Sequence, residues 1–203
     1  LRREKHLDGL KEDQVTIFDQ MISVFANGKQ LDECQAGVVA ATGVGKTHLM
    51  IELLRAAHNK ERAAKQKRPA PIRSLVLTES QDLIRQNSGA DGRHGLAVFA
   101  PELEVGCYYA DEKDLSKEVT VMTYASFIRT AEKGVIKPGD FTVLLADEAD
   151  LALSYKRHPL LKDFMKNCVS FGFTATGTYN ENKHLGQLYE RIIYGPNLRE
   201  AID

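Results

Sequence analysis

The stretch that constrains this chain most is Ala40-Ala41-Thr42-Gly43-Val44-Gly45-Lys46-Thr47, set between an apolar run from Ala36 to Ala40 and an amphipathic segment starting at His48. That order predicts a strand, a tight loop and a helix. Such a loop aims its backbone N–H groups and the new helix's N-terminus at one concave spot, where the helix dipole favours an anion. Gly43 and Gly45 supply backbone angles and a close approach that a Cβ would obstruct. Lys46 would reach the outer phosphates of a nucleotide as a point charge, and the Thr47 hydroxyl would ligate Mg²⁺. The usual pattern opens on Gly where this chain has Ala40, so on the loop alone a glycine-rich turn with a solvated Lys46 stays open.

Of the 203 residues, 43% are hydrophobic, enough for a sizeable core and most simply one domain over 1–203. No apolar run is long enough to span a bilayer and no signal-peptide pattern opens the chain, so no membrane partner is expected. A net charge of −1 excludes a global basic field that grips nucleic acid indiscriminately and leaves any such contact to local groups. Cys34, Cys107 and Cys168 are far apart, without metal-ligand spacing, and predict buried thiols in a reducing cytoplasm rather than a disulfide framework. The histidines, among them His48, His94 and His158, likewise show no ligand spacing. A start at Leu1 rather than Met is what a segment of a longer protein would show.

Residues 1–35 form a lead-in in which Leu10, Val15, Ile17, Phe18, Met21, Ile22 and Phe25 share one helical face, with Asn27-Gly28 as a stop. After the loop, Leu49, Met50, Leu53, Leu54 and Ala57 face inward on a second helix. It runs into Lys60 to Arg73, where Lys60, Arg62, Lys65, Lys67, Arg68 and Arg73 face the single acid Glu61. That tail is a solvated helix end or a patch for nucleic acid or another partner. Ser74–Thr78, Val105–Tyr109, Val119–Thr123, Phe141–Ala146 and Val169–Thr174 read as strands; Ser80–Gln86, Tyr124–Glu132 and Leu160–Lys166 read as helices; Ser88–Gly95 is a loop. Strands apolar throughout, alternating with helices, argue an α/β fold with a mostly parallel sheet covered on both faces. Ligands of such sheets sit outside the carboxyl ends of the strands.

Directly after the Phe141–Ala146 run comes Asp147-Glu148-Ala149-Asp150. A carboxylate at a strand's carboxyl end, in the same crevice as Thr47, suits a nucleotide-bound Mg²⁺, and Asp147 takes that role. Glu148, aimed elsewhere, is placed to orient and deprotonate the water that attacks the γ-phosphate. Taken alone, these acids could also cap the next helix.

Together, Ala41 to Thr47, Asp147-Glu148-Ala149-Asp150 and Thr174-Ala175-Thr176 resemble motifs I, II and III of superfamily 2 helicases. The resemblance implies a three-layer α/β/α RecA-like P-loop ATPase lobe that takes ATP and Mg²⁺, with Thr42, Gly43, Val44, Gly45, Lys46, Thr47 and His48 around the nucleotide. It implies catalytic roles for Lys46, Asp147 and Glu148, and metal ligation by Thr47 and Asp147. Gln14 resembles the glutamine that reads adenine ahead of motif I, although a glutamine on a polar helix face is also common. Thr174 or Thr176 is implied to hydrogen-bond Asp150 and couple nucleotide state to grip. Thr78, Ser80, Gln81, Thr123 and Tyr124 are implied to contact phosphates or sugars of a strand, where small donors position without reading sequence; as an alternative they cap the helices that follow.

The chain lacks the Pro-Thr-Arg-Glu-Leu and Thr-Pro-Gly-Arg segments of DEAD-box RNA helicases. Its Gly172-Phe173-Thr174-Ala175-Thr176 stretch and the tail from Tyr194 to Ile202 are more similar to the restriction-enzyme-type (type III restriction subunit) branch, with Gly177 where proline is usual. The expected partners are nucleic acid, with DNA favoured over RNA, and a second RecA-like lobe of the same full-length protein. That lobe, carrying motifs IV to VI and the arginine fingers, has no counterpart here, so the lobe alone is expected to be weakly active. An ATP-gated clamp or sensor without strand separation is the competing reading. A guanine-specific switch is disfavoured, because Asn182-Lys183 is followed by His184-Leu185 rather than completing Asn-Lys-x-Asp.

Overall fold

The structure is a computed structural model that describes residues 10–27, 34–41, 43–63, 72–90, 92, 95–154, 157–176, 178–180 and 183–195; for residues 26, 27, 60–63, 178–180 and 183 it describes the backbone alone. In chain order the elements are α1 (Glu12–Asn27), β1 (Gln35–Val39), α2 (Lys46–Ala63), β2 (Ser74–Thr78), α3 (Gln81–Ser88), α4 (Leu96–Phe99), β3 (Val105–Tyr109) and β4 (Glu112–Lys113). They continue with β5 (Val119–Thr123), α5 (Tyr124–Glu132), β6 (Val143–Asp147), a 3₁₀ turn (Ala149–Leu153), α6 (Arg157–Met165), β7 (Val169–Thr174), β8 (Thr178–Asn180), β9 (Lys183–His184) and β10 (Ile192–Tyr194).

Eight strands form one sheet in the order β10-β1-β7-β6-β2-β5-β3-β4. Every described pairing in it is parallel except the short β3–β4 edge. The apolar runs are strands because both of their faces are covered. Along β6, Val143 and Leu145 pack with Ile17, Met21 and Leu54 of α1 and α2, whereas Leu144 and Ala146 pack with Phe127 and Phe164 of α5 and α6. Period-two alternation thus feeds two cores, one on each face, and gives three layers. On the second face Phe127 and Phe164 meet edge to face, with ring centroids 4.9 Å apart, and tie α5 to α6.

Several boundaries differ from the sequence expectation for local reasons. The Phe141–Ala146 run enters the sheet only at Val143, because the N–H groups of Thr142 and Val143 both go to Arg73 O first. The strand then runs one residue further, so Asp147 is its last member. α3 continues to Ser88, where Gly89, at φ +87°, closes it with an N–H donated to Arg85 O. The four-residue α4 and the strand β10 were not anticipated. Thr42, the basic residues 64–71, His94, Gly177 and the tail from 196 lie outside the described residues. Cys34 and Cys168 are buried, Cys107 is half-buried and all three are free thiols; burial pushes the Cys168 thiol up to about 12. Among the described residues no helix is long and apolar enough to cross a membrane.

Gly172, in the middle of β7, tests the tightness of the second core. A Cβ there would lie 2.7 Å from the hydroxyl of fully buried Tyr189 and 2.8 Å from Ala149 Cβ. Gly172→Ala is therefore expected to destabilise, because overpacking of about 1–3 kcal/mol outweighs the roughly 0.4–1 kcal/mol gained from a less flexible unfolded chain. The urea midpoint should fall; an unchanged or raised midpoint would show that Tyr189 does not pack against this strand.

Candidate nucleotide-binding site

Loop and helix meet at the carboxyl end of β1. Ala40 N donates to Thr174 O at 3.0 Å, and Gly195 N donates to Val39 O at 2.8 Å, so neighbouring chain holds the strand on both sides up to its last residue. The loop then turns through Gly43 and Gly45, at φ +89° and +84°, backbone angles that favour glycine. A Cβ at Gly43 would meet nothing, so the need there is conformational; at Gly45 it would collide with the Gln14 amide. Lys46 opens α2, whose first turn carries no acidic side chain, and the N–H groups of His48 and Leu49 both point to Gly45 O, at 2.9 and 3.2 Å. Gln14 lies beneath the loop: its Nε2 donates to Val44 O at 2.7 Å and its Oε1 accepts from Lys11 N at 2.7 Å. A cleft of about 370 Å³ opens over this corner, lined among others by Gln14, Gly43, Gly45, Thr47, His48 and Phe99.

The acids sit at the carboxyl end of β6. Asp147 is 7% exposed; its Oδ1 accepts from Glu148 N at 3.2 Å, and Asn87 Nδ2 lies 3.5 Å from its Oδ2. Burial pushes the Asp147 carboxyl above its ordinary range, and the adjacent Glu148 charge adds to this. The Asn87 amide and the Lys46 ammonium pull the other way. Glu148 stands at φ +47°, in the left-handed region, so the chain leaves the strand abruptly. Its Oε1 lies 3.1 Å from Lys46 Nζ. The phosphate loop and the acidic strand end are thereby brought into direct contact across 102 residues of chain.

Asp150 is held from β7, where Thr174 Oγ1 donates to its Oδ1 at 2.9 Å. Thr176 takes part through its backbone, its N–H donating to Thr174 Oγ1 at 3.2 Å. Of the residues expected at a nucleic acid, Ser80 caps α3 by accepting from Leu83 N, Thr123 caps α5 by accepting from Ser126 N, and Gln81 is exposed. Thr78 and Tyr124 must be corrected. Thr78 is fully buried at the end of a central strand, and Tyr124, 2% exposed, turns under β6 and donates to Asp147 O at 2.9 Å. Burial holds the Tyr124 hydroxyl well above its usual value, so it stays a donor. Asn87 and Phe99 were missed; neither carries a motif, and only the packing of α3 and α4 against the site reveals them.

The donor set fits a nucleotide with Mg²⁺. Left-handed glycines and an acid-free helix start suit phosphate oxygens, Lys46 adds a cation, and the Thr47 hydroxyl and Asp147 carboxylate are the hard oxygen ligands that Mg²⁺ takes.

Comparison with known proteins bears on the family and the fold. The family model described as "Type III restriction enzyme, res subunit" matches residues 8–178. The chain is 27% identical over 173 residues to the Endoribonuclease Dicer homolog 4 of Oryza sativa subsp. japonica, a match that covers 72% of this chain and 10% of that protein. Among solved structures, the Sulfolobus solfataricus SWI2/SNF2 ATPase core in complex with dsDNA superposes with a TM-score of 0.64 at 18% identity, over 89% of this chain and 35% of that one. The Pyrococcus furiosus Hef helicase domain does so with a TM-score of 0.62 at 20% identity, over 94% and 42%. The expected RecA-like α/β fold is borne out, and the chain spans a tenth of the curated relative and under half of these two neighbours.

The raised Asp147 carboxyl has a stability consequence. The folded chain holds this proton more tightly than the unfolded chain, so ionising Asp147 costs stability, and the cost is recovered as pH falls through the folded value towards the unfolded one of about 3.9. Asp147→Asn is expected to raise the thermal midpoint at pH 8, by a margin that shrinks towards pH 4. A pH-independent margin, or a lower midpoint at pH 8, would contradict a burial cost at the Asp147 carboxylate that outweighs its partners.

Proposed function

The chain belongs to the type III restriction enzyme, res subunit family, and from that premise we propose that it is the ATP-binding lobe of a nucleic-acid-dependent ATPase. In this reading the full-length protein is a helicase or translocase that hydrolyses ATP to move on or unwind DNA or RNA. The observation that carries the reading is the 3.1 Å contact between Lys46 Nζ and Glu148 Oε1, which joins a phosphate-binding group to a carboxylate able to take a proton.

ATP supplies the phosphoanhydride to be cleaved, and Mg²⁺ the charge that offsets its oxygens. The protein's own groups bind and orient. Loop N–H groups from Gly43 to Thr47 and the Lys46 ammonium hold phosphate; Thr47 and Asp147 hold the metal; Tyr124, on the Asp147 carbonyl, fixes the strand end that presents it. Glu148 accepts the proton of the attacking water at its carboxylate, which requires that Lys46 release it first. Thr174, bonded to Asp150, links β7 to the acidic turn and is the coupling residue, with Thr176 fixing the Thr174 hydroxyl from its backbone. Ser80, Gln81 and Thr123, at the carboxyl ends of β2 and β5, are the remaining candidates for a phosphate or sugar contact. DNA is favoured over RNA, in line with the dsDNA named for the Sulfolobus neighbour. A second RecA-like lobe is the expected partner.

Intact Lys46, Asp147 and Glu148 favour turnover over a passive clamp. ATP hydrolysis by the full-length protein should rise on adding DNA or RNA, and Lys46→Ala should lower it by at least about a hundredfold, as expected for loss of a preorganised charge at the transition state. Undiminished hydrolysis in that variant would overturn the assignment. Hydrolysis without strand displacement would favour a translocase or an ATP-gated clamp.

A further inference from the structure

We propose that Asn87 is a positioning residue whose side-chain amide holds the Asp147 carboxylate in the orientation that takes Mg²⁺. This rests on the reading of the cleft as a nucleotide and metal site and assigns what aims the metal ligand.

Ile84, Asn87 and Ser88 are the buried residues of α3. Asn87, three residues on from Ile84, thus occupies the inward stripe of the helix, where an apolar side chain is the rule. It is 3% exposed, and its Nδ2 lies 3.5 Å from Asp147 Oδ2. Its Oδ1 is buried and has no hydrogen-bond partner among the described residues. A buried oxygen left in that state costs stability, so a leucine would serve the fold better here. What the amide gains in return is the carboxylate.

The two oxygens of that carboxylate are held differently. Oδ1 accepts from the N–H of Glu148, the next residue, which moves with Asp147 itself. Oδ2 is met by Asn87, from another element 60 residues away in the chain, so this contact ties the carboxyl plane to α3. It is long, as hydrogen bonds at ligand sites often are before the ligand arrives and tightens them. The Asn87 backbone is itself pinned: the chain returns past it at Gly95, φ +90°, where a Cβ would sit 2.8 Å from Asn87 O. Partners that hold a metal-ligating group in place typically set metal affinity by about ten- to a hundredfold.

Thr78 supplies the comparison. Leu77 pairs with Ala146, which sets Thr78 beside Asp147 on the same sheet face. Its Oγ1 is likewise buried and without a hydrogen-bond partner among the described residues, so it makes no bond to the carboxylate. Removing this hydroxyl changes the polarity of the pocket and leaves the Asn87 contact alone.

The test titrates Mg²⁺ into the full chain with a non-hydrolysable ATP analogue at pH 8, in wild type, Asn87→Leu and Thr78→Val, and records thermal midpoints without ligand. Leucine and valine keep the bulk of the residues they replace and remove the unpartnered oxygen. Asn87→Leu should raise the half-saturating Mg²⁺ concentration about tenfold, leave the analogue's affinity in EDTA unchanged, and melt no lower than wild type. Thr78→Val should leave both affinities unchanged. Asn87→Ala, which adds no bulk, is read by the same two affinities should leucine not be accommodated. Unaltered Mg²⁺ dependence in the Asn87 variants, or an equal rise in Thr78→Val, overturns the proposal. Equal loss with and without Mg²⁺, together with a lower midpoint, makes Asn87 a prop of the fold and overturns it as well. If wild type binds no analogue, or binds it with no dependence on Mg²⁺, the nucleotide and metal reading falls and takes this role with it.

Discussion

β7 lies between β1 and β6 in one parallel register, with Thr174 opposite Val39 and Phe173 opposite Asp147. That pairing brings the start of the phosphate loop, the last residue of β6 and the threonine of β7 to the sheet edge at one height. The Ala40 N–H to Thr174 O bond fixes where the loop begins, and the Thr174 hydroxyl reaches Asp150 from the same point. A slip of one residue would turn Phe171 and Phe173 from the α1–α2 core to the opposite face and bring Gly172 out from beneath Tyr189. The cores on the two faces thus hold the register, and the register builds the site.

The site itself is set against stability. Asp147 is buried beside a second carboxylate, Glu148 adopts a left-handed backbone that favours glycine, and Lys46 is the cation recorded against them. A residue held in such a region costs about 1–3 kcal/mol and persists where the surroundings over-determine it. Here the surroundings are the Tyr124 hydroxyl on the Asp147 carbonyl, the Glu148 N–H on Asp147 Oδ1 and the fully buried Ala149 that follows. Local rules broken by flanking residues at one strand end are what a functional site shows, and the rest of the fold offsets them.

What could be read from the residues alone was whatever depends on neighbours along the chain. Ser74–Thr78, Val105–Tyr109, Val119–Thr123 and Val169–Thr174 are strands with the expected bounds, because short, mainly apolar runs bounded by polar stretches mark the strands of a covered sheet. Thr78 and Tyr124, implied by the resemblance to contact a nucleic-acid strand, are buried because the carboxyl ends of β2 and β5 are covered, which no local pattern reveals. β10, three residues long, has too short a pattern to stand out and becomes a strand only by pairing with β1. Asn87 and Phe99 belong to helices flanking a glycine-rich loop, and their approach to Asp147 and His48 comes from the packing of α3 and α4 with α2 in one core. For Gln14, position was legible and partner was not: the helix was expected, the Val44 carbonyl was not.

The central claim is that Lys46, Thr47, Asp147 and Glu148 form one phosphate and metal site. It is tested most directly by a crystal structure of the chain with Mg²⁺ and a non-hydrolysable ATP analogue. The account predicts phosphate density against the N–H groups of Gly43 to Thr47, Lys46 Nζ moved from Glu148 onto phosphate oxygen, and a metal ion between Thr47 Oγ1 and the Asp147 carboxylate. Nucleotide bound elsewhere, or Lys46 still paired to Glu148 with the nucleotide in place, would contradict it.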